Sequence, residues 1–207
     1  EVEHILLPGY DSTLYAEGRG DSYAIDARDS IIAILIGGSG NPVSLWKSTN
    51  NGQTWTYTDV DSLPYKGPRA GAEMILNADS MFSNDGSVDV LIDASGVAHA
   101  FWGRTRSLGV VNDDGDSVVN FFINTTGIVH WKEGDTEPRF LGGPVDLDSN
   151  GVYDITEETV RGLDATGGVP GSLLSAARTG STGAVSMPTA SVDADGNLFL
   201  VYHGAVE

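Results

Sequence analysis

Ile92-Asp93-Ala94-Ser95-Gly96-Val97-Ala98-His99-Ala100-Phe101-Trp102 is the stretch on which the fold turns. An apolar residue, an aspartate and an alanine lead into a Ser-Gly turn, and an apolar strand leaves it. Ser-Gly between two apolar runs marks a β-hairpin. The same pattern stands at Val192-Asp193-Ala194, with the turn Asp195-Gly196 and the strand Asn197–Tyr202. A weaker copy starts at Ile25-Asp26-Ala27; its turn, Arg28-Asp29-Ser30, lacks the glycine, and its strand is Ile31–Ile36. Each copy is therefore expected to be an inner hairpin of a repeated unit.

The chain around the repeats supplies further strands. After the first copy, Pro42–Ser48 and Thr54–Val60 complete four strands. After the second, the third strand is Val118–Ile123 or Ile128–Trp131, and the fourth lies near Arg139–Leu141. Val2–Leu7 resembles the outer strand of a preceding unit, and the third copy stops after two strands. Four-stranded units in series suggest a β-propeller of which this chain, residues 1–207, holds only part. A β-sandwich fits similar strand statistics. The abundance of glycine and turn residues agrees with an all-β chain. The chain opens at Glu1 with no signal-like segment, as a mature form or a piece of a longer protein would.

Composition excludes several functions. A net charge of −18 leaves no basic footprint for nucleic acid or an anionic membrane surface. There is no cysteine, hence no disulfide and no thiolate metal site. The longest aliphatic run, Ile31–Ile36, is far too short to span a membrane. An acidic surface favours solubility and calcium.

Asp146-Leu147-Asp148-Ser149-Asn150-Gly151-Val152-Tyr153-Asp154-Ile155-Thr156-Glu157 matches the calcium-loop pattern at every fixed position. Asp146, Asp148 and Asn150 offer side-chain oxygens, Val152 its carbonyl, and Asp154 a direct or water-mediated ligand. Glu157 closes the shell in bidentate fashion, and Gly151 makes the sharp turn. Gly142-Gly143-Pro144 forbids a regular entering helix. A lone calcium clip inside an insertion, 142–186, is therefore expected rather than a paired sensor. Asn112-Asp113-Asp114-Gly115-Asp116 lacks a full ligand spacing and is expected to be a solvated turn.

Ser48-Thr49-Asn50-Asn51-Gly52-Gln53-Thr54-Trp55 resembles the Asp-box of sialidases and related propellers, Ser-x-Asp-x-Gly-x-Thr-Trp, with Asn50 in place of the aspartate. A side-chain oxygen at position 50 can accept bonds from turn amides. Asn51-Gly52 permits positive φ, and Trp55 can cover the hairpin. The resemblance implies a sialidase-like fold, with the box on the face opposite any active site. Val97–Gly204 also resembles secreted Bacteroidetes proteins with sialidase-like propellers, often exported by a type IX system. That likeness rests on Phe101-Trp102-Gly103-Arg104, His130-Trp131-Lys132-Glu133 and Ser186-Met187-Pro188, and implies an extracellular or cell-surface location.

Long segments, Asp61–Gly86, Arg104–Ser117 and Gly142–Ser186, fall on the opposite face, where function usually resides. Ligand is expected there, near Arg69, Arg104, Arg106 and the calcium insert. Two functions follow from these readings. One is a calcium-stabilised, non-catalytic module that binds glycans or proteins or serves in a cell-surface assembly. The other is an exo-sialidase with catalytic residues outside this chain. The resemblance implies arginines clamping a carboxylate, a Tyr–Glu pair and an acid Asp. The chain lacks the family's early Arg-Ile-Pro, and no Tyr–Glu pair can be assigned. His99 and His130 lie on expected strands and are expected to pack there. Arg19-Gly20-Asp21 and the sequon Asn124-Thr125-Thr126 are taken as chance matches.

Overall fold

The computed structural model describes residues 6–14, 22–66, 70–111, 114–143 and 185–204, with the backbone alone at 120–125. Among the described residues the chain is all-β with one short helix. Strands β1 (Tyr23–Arg28), β2 (Ile31–Ile36), β3 (Val43–Ser48) and β4 (Thr56–Asp61) form one antiparallel sheet in chain order. After helix α1 (Ala70–Asn77), strands β5 (Ser80–Ile92), β6 (Ala98–Val111), β7 (Ser117–Lys132) and β8 (Arg139–Gly142) form a second sheet of the same order. Strands β9 (Val185–Val192) and β10 (Leu198–Gly204) form a third sheet of two strands.

The repeated turns close by the same device in the second and third copies. Asp93 Oδ1 accepts from the amides of Ser95 (2.8 Å) and Val97 (2.9 Å). Asp193 Oδ1 accepts from Asp195 (3.0 Å) and Asn197 (2.8 Å). Gly96 and Gly196 take φ of 78° and 85°, the left-handed region glycine enters freely. In the first copy Asp29 adopts φ 53° in place of a glycine. Asp26 is thereby freed from turn duty, and its Oδ2 accepts from Ile92 N of β5 (2.6 Å). Likewise Asp89 Oδ2 of β5 accepts from Ala190 N of β9 (2.6 Å). The first strands of the three sheets are thus tied in series.

The first two sheets pack face to face. Leu35, Val43, Leu45 and Val60 from one meet Val90, Ile92, Trp102 and Val129 from the other, all buried. Fully burying side chains of this size stabilises the pair by about 1.5–3 kcal/mol each. At the turn end, Lys47 of β3 reaches the Gly96 carbonyl (2.7 Å) and the Glu133 carboxylate across the seam.

The Ser48–Trp55 turn has the expected geometry. Asn50 Oδ1 accepts from Thr54 N (2.9 Å) and Ser48 Oγ (3.0 Å). Ser48 Oγ accepts from Gly52 N (2.9 Å), Asn51 and Gly52 both have positive φ, and Trp55 Nε1 donates to the Gly52 carbonyl (2.9 Å).

Three expectations are corrected. Val118–Ile123 and Ile128–Trp131 are not alternatives: both belong to β7. The polar residues between them are carried as a bulge opposite Thr105, because the ladder resumes on either side at Arg104↔Gly127 and Arg106↔Phe122. Most of the Arg104–Ser117 loop is strand, since Ser80–Asn84 pairs with Arg104–Leu108 and completes the extension. Leu6 and Leu7, the described part of Val2–Leu7, are not in a strand. Their continuation is held instead by Trp46, whose Nε1 donates to the Pro8 carbonyl (2.7 Å). The extended end of the second sheet carries its own small core of Leu63, Ala70, Met74 and Met81 beneath α1. Gly71 and Gly109 approach so closely there that a side chain on Gly109 would strike the Gly71 carbonyl.

Candidate functional site

β4 runs away from the 48–55 turn, so its last residue, Asp61, lies at the end of the sheets remote from the repeated turns. β6 runs the same way. Trp102 and Arg104, two apart on that strand, present their side chains on one face of the sheet. The elements meet at this end, where β4 of the first sheet approaches the seam beside β6.

Arg104 is half-buried and held between two aromatic rings. Its guanidinium carbon lies 4.4 Å from the centroid of Phe82 and 4.6 Å from that of Phe140. Such contacts contribute about 0.5–2 kcal/mol each. Both rings keep an exposed side, at 48% and 51%. With both faces covered, the guanidinium can make hydrogen bonds only through its edges. It makes no ion pair among the described residues. Its buried Nε has no hydrogen-bond partner, and neither does Nε1 of Trp102, whose side chain is wholly buried. A buried N–H left without a partner costs about 1–3 kcal/mol.

Asp61 faces these donors. Burial, reinforced by the neighbouring Asp59 carboxylate, pushes its carboxyl up to about 6; the Arg104 charge and the Trp102 N–H pull the other way without reversing the shift. The Trp102 N–H is directed toward Asp61 but closes no full hydrogen bond. Burial lowers the Arg104 pKa and Asp61 opposes this; a guanidinium remains charged throughout. The site thus offers a fixed cation, a buried N–H and a carboxyl that changes state near neutrality.

Of the residues singled out from the sequence, Arg104 lies at this centre. Arg106, next along the same face, bonds Ser80 Oγ through Nε (3.1 Å) and Nη2 (2.9 Å) outside the aromatic sandwich. Arg69 and the calcium ligands Asp146, Asp148, Asn150, Val152, Asp154 and Glu157 lie outside the described residues, as does Arg19-Gly20-Asp21. Among the described residues no group of three His, Asp or Glu could hold a metal. Asp114, Gly115 and Asp116 form an exposed turn, as expected.

Asp61, Phe82 and Phe140 carried no motif, and Trp102 entered only within Phe101-Trp102-Gly103-Arg104, with no role of its own. The alternation Trp102-Gly103-Arg104 on a strand was the one usable signal for a shared face. The two histidines, 31 residues apart, are brought together across β6 and β7. His99 Nδ1 and His130 Nε2 are 2.9 Å apart, and His99 Nε2 is 3.4 Å from Asp93 Oδ2. The rings are parallel within 4°, and Phe101 stacks on His130. They are packed on their strands, as expected.

Comparison with known proteins finds no match to this chain among protein-family models, curated proteins or solved structures. No helix among the described residues is long and apolar enough to cross a membrane.

Proposed function

We propose that this chain is part of a secreted, sialidase-like β-propeller, a calcium-stabilised module that binds glycans or proteins at the face carrying Arg104. The observation that carries the binding reading is the Arg104 guanidinium. It is fixed between Phe82 and Phe140 with no ion-pair partner among the described residues. A rigid arginine with no ion pair among the described residues and with exposed aromatic edges suits recognition of an external group more than fold stability. The propeller reading is supported by sheets that repeat in chain order and by the Asp26–Ile92 and Asp89–Ala190 links between successive first strands. Calcium is supported by the ligand spacing of Asp146–Glu157, and an extracellular or bacterial cell-surface location by the resemblance to exported proteins. A glycan array probed with the wild type and with Arg104→Ala tests the reading. Loss of binding in the variant is the expected result; equal binding by both would sink it.

A second reading, an exo-sialidase-type hydrolase, is favoured by one observation. A carboxyl near 6 beside an arginine is suited to proton donation at neutral pH. Turnover of a fluorogenic sialoside that disappears in Asp61→Asn would select this reading over the first.

A further inference from the structure

We infer that the outer face of the third sheet docks on a second copy of this chain, head to tail, against the β1–β2 face of that copy's first sheet. The inference goes beyond ligand binding and does not use the Arg104 face; it extends the stacking of sheets within the fold.

The sequence calls for cover on both sides of these strands. Ile31–Ile36 and Leu198–Tyr202 are unbroken apolar runs. A strand with one wet face alternates apolar and polar residues, whereas a continuous run suits a strand buried on both faces. On β6 that cover is complete: every side chain from Ala98 to Trp102 is buried. On β2 it is one-sided. Ala33 and Leu35 are wholly buried against the second sheet. Ile34 and Ile36 point the other way, paired with Ile25 and Tyr23. Ile25 is 60% exposed, and Tyr23 is exposed beside it. On this same face Pro8 and Tyr10 cover Trp46 of β3, and Gly9 lies against Tyr57 of β4. Among the described residues the cover reaches β3 and β4 and leaves β1 open.

The third sheet is open in the matching way. Phe199 pairs with Ser191 and Val201 with Thr189, and all four are exposed, Val201 at 71%. Pro188, Ala190 and Leu200, on the alternate face, are buried or half-buried.

The two patches fit each other. The open part of the first sheet is its inner hairpin, β1–β2; the third sheet presents the repeat of that hairpin, β9–β10. Within the chain, the forward side of the first sheet meets the backward side of the second. The backward side of the first sheet and the forward side of the third are the two halves of another such seam, and a second copy brings them together. Neither patch carries a charged side chain, so two chains of net charge −18 can meet there without setting charge on charge. Their overall repulsion remains, and salt should strengthen the association by screening it. A head-to-tail contact closes into a ring or runs on as a filament.

The test is sedimentation velocity of the 207-residue chain over a range of concentrations, at low and at high salt. We expect the mass to rise above that of one chain with concentration, and further in salt. Ile25→Lys and Val201→Lys alter exposed side chains and should fold, with unchanged circular dichroism, yet each alone should sediment as a single chain. Mixed in equal amounts they should form complexes of two chains and no larger, about a twofold rise in mass, because each variant keeps the face that the other has lost. Tyr23→Lys and Phe199→Lys repeat the test on neighbouring side chains. A wild type that stays single at every concentration and salt would overturn the inference. So would an Ile25→Lys chain that associates like wild type, or a mixture that stays single. None of these outcomes bears on the glycan array, whose result turns on Arg104.

Discussion

Gly127 stands directly across the ladder from Arg104, and the space its side chain would fill is taken by the Phe140 ring. A Cβ at Gly127 would overlap that ring and approach the Gly142 carbonyl. The absence of one side chain therefore lets Phe140 cover one face of the guanidinium. Gly127→Val should expel Phe140 and destabilise the fold by about 1–3 kcal/mol. Urea unfolding measures the loss. In the surviving folded fraction the Arg104 Nε–H signal should broaden, since one wall of its sandwich is gone. A variant as stable as wild type with an unchanged Arg104 signal would mean that the ring has another way to sit.

Asp85 pins the third sheet to the second. It is wholly buried in a bulge of β5 where Asp85, Gly86 and Ser87 stand opposite Gly103 alone. Oδ1 accepts from Ser87 N (2.9 Å) and Ser87 Oγ (2.6 Å), and Oδ2 from Ser186 Oγ (2.6 Å), 101 residues away. A Cβ on Gly103 would overlap the carboxyl. Burial raises its pKa, and these hydrogen bonds partly offset that. Asp85→Ala leaves both serine hydroxyls without their acceptor and should destabilise by about 2–4 kcal/mol. Asp85→Asn should cost less. Hydrogen exchange at Met187 and Ala190 should quicken far more than at Leu35 in the first sheet. Uniform quickening would show that the third sheet does not open as a unit.

Asp61 gives acid a stabilising effect. Its carboxyl is raised from 3.8 to about 6, so between these values the folded chain binds more protons than the unfolded one. Stability from this group is full below pH 4 and is lost as pH rises through 6. The loss is about 2–3 kcal/mol. Asp61→Asn should remove that slope and leave the protein more stable than wild type at pH 7. Denaturant melts at pH 4, 5, 6 and 7 measure it; a variant less stable at pH 7 would contradict the assignment.

His130 acts in the opposite direction. Burial, then the neighbouring His99, lower it from 6.5 to about 4, against the pull of Asp135. The unfolded chain takes up the proton first, so stability is lost as pH falls from 6.5 through 4. The side chain is only partly buried, which limits the effect to about 1 kcal/mol. In an Asp61→Asn background, where the opposing slope of that group is gone while the raised Asp85 and Asp89 carboxyls keep theirs, His130→Gln should remove the share of the dependence that His130 contributes over this window. The NMR titration of the His130 ring gives the pKa directly, and a value near 6.5 would rule the effect out.

The sequence disclosed what local chemistry dictates. Ile31–Ile36 is a strand with the expected bounds, and Asn50 and Gly96 make the turns their residue types demand. What escaped it depends on distant partners. Thr105–Leu108 is polar enough to look like loop, and becomes strand because Ser80–Ser83 lies along one edge and Asn120–Phe122 along the other. Asn124-Thr125-Thr126 looks like a break in β7 and lies in a bulge within it, the ladder resuming at Gly127. Helix α1 left a weak sign, Ala70 and Met74 four apart on one face. The candidate site was half legible: Arg104 was marked by its chemistry and position, whereas Asp61 and Trp102 meet only through packing of one sheet on another.

The Asp146–Glu157 loop supplies the last prediction. Four carboxylates on twelve consecutive residues repel one another unless a cation lies among them. If calcium binds the chain folded and not unfolded, its removal lowers stability by RT ln(1 + [Ca]/Kd), about 2.7 kcal/mol at a hundredfold excess over Kd. Excess chelator should therefore lower the melting temperature and expose residues 142–186 to protease. Readded calcium should restore both, and magnesium should do so poorly because it demands a smaller, octahedral shell. Asp146→Asn with Glu157→Gln should mimic chelation and abolish the response to calcium. The hydrogen-bonded seam between the first two sheets, with Lys47 on Gly96 and Glu133, should keep its exchange protection throughout, because none of its partners belongs to the loop. Melting and proteolysis unmoved by chelator would leave the loop as acidic surface and remove calcium from the functional proposal.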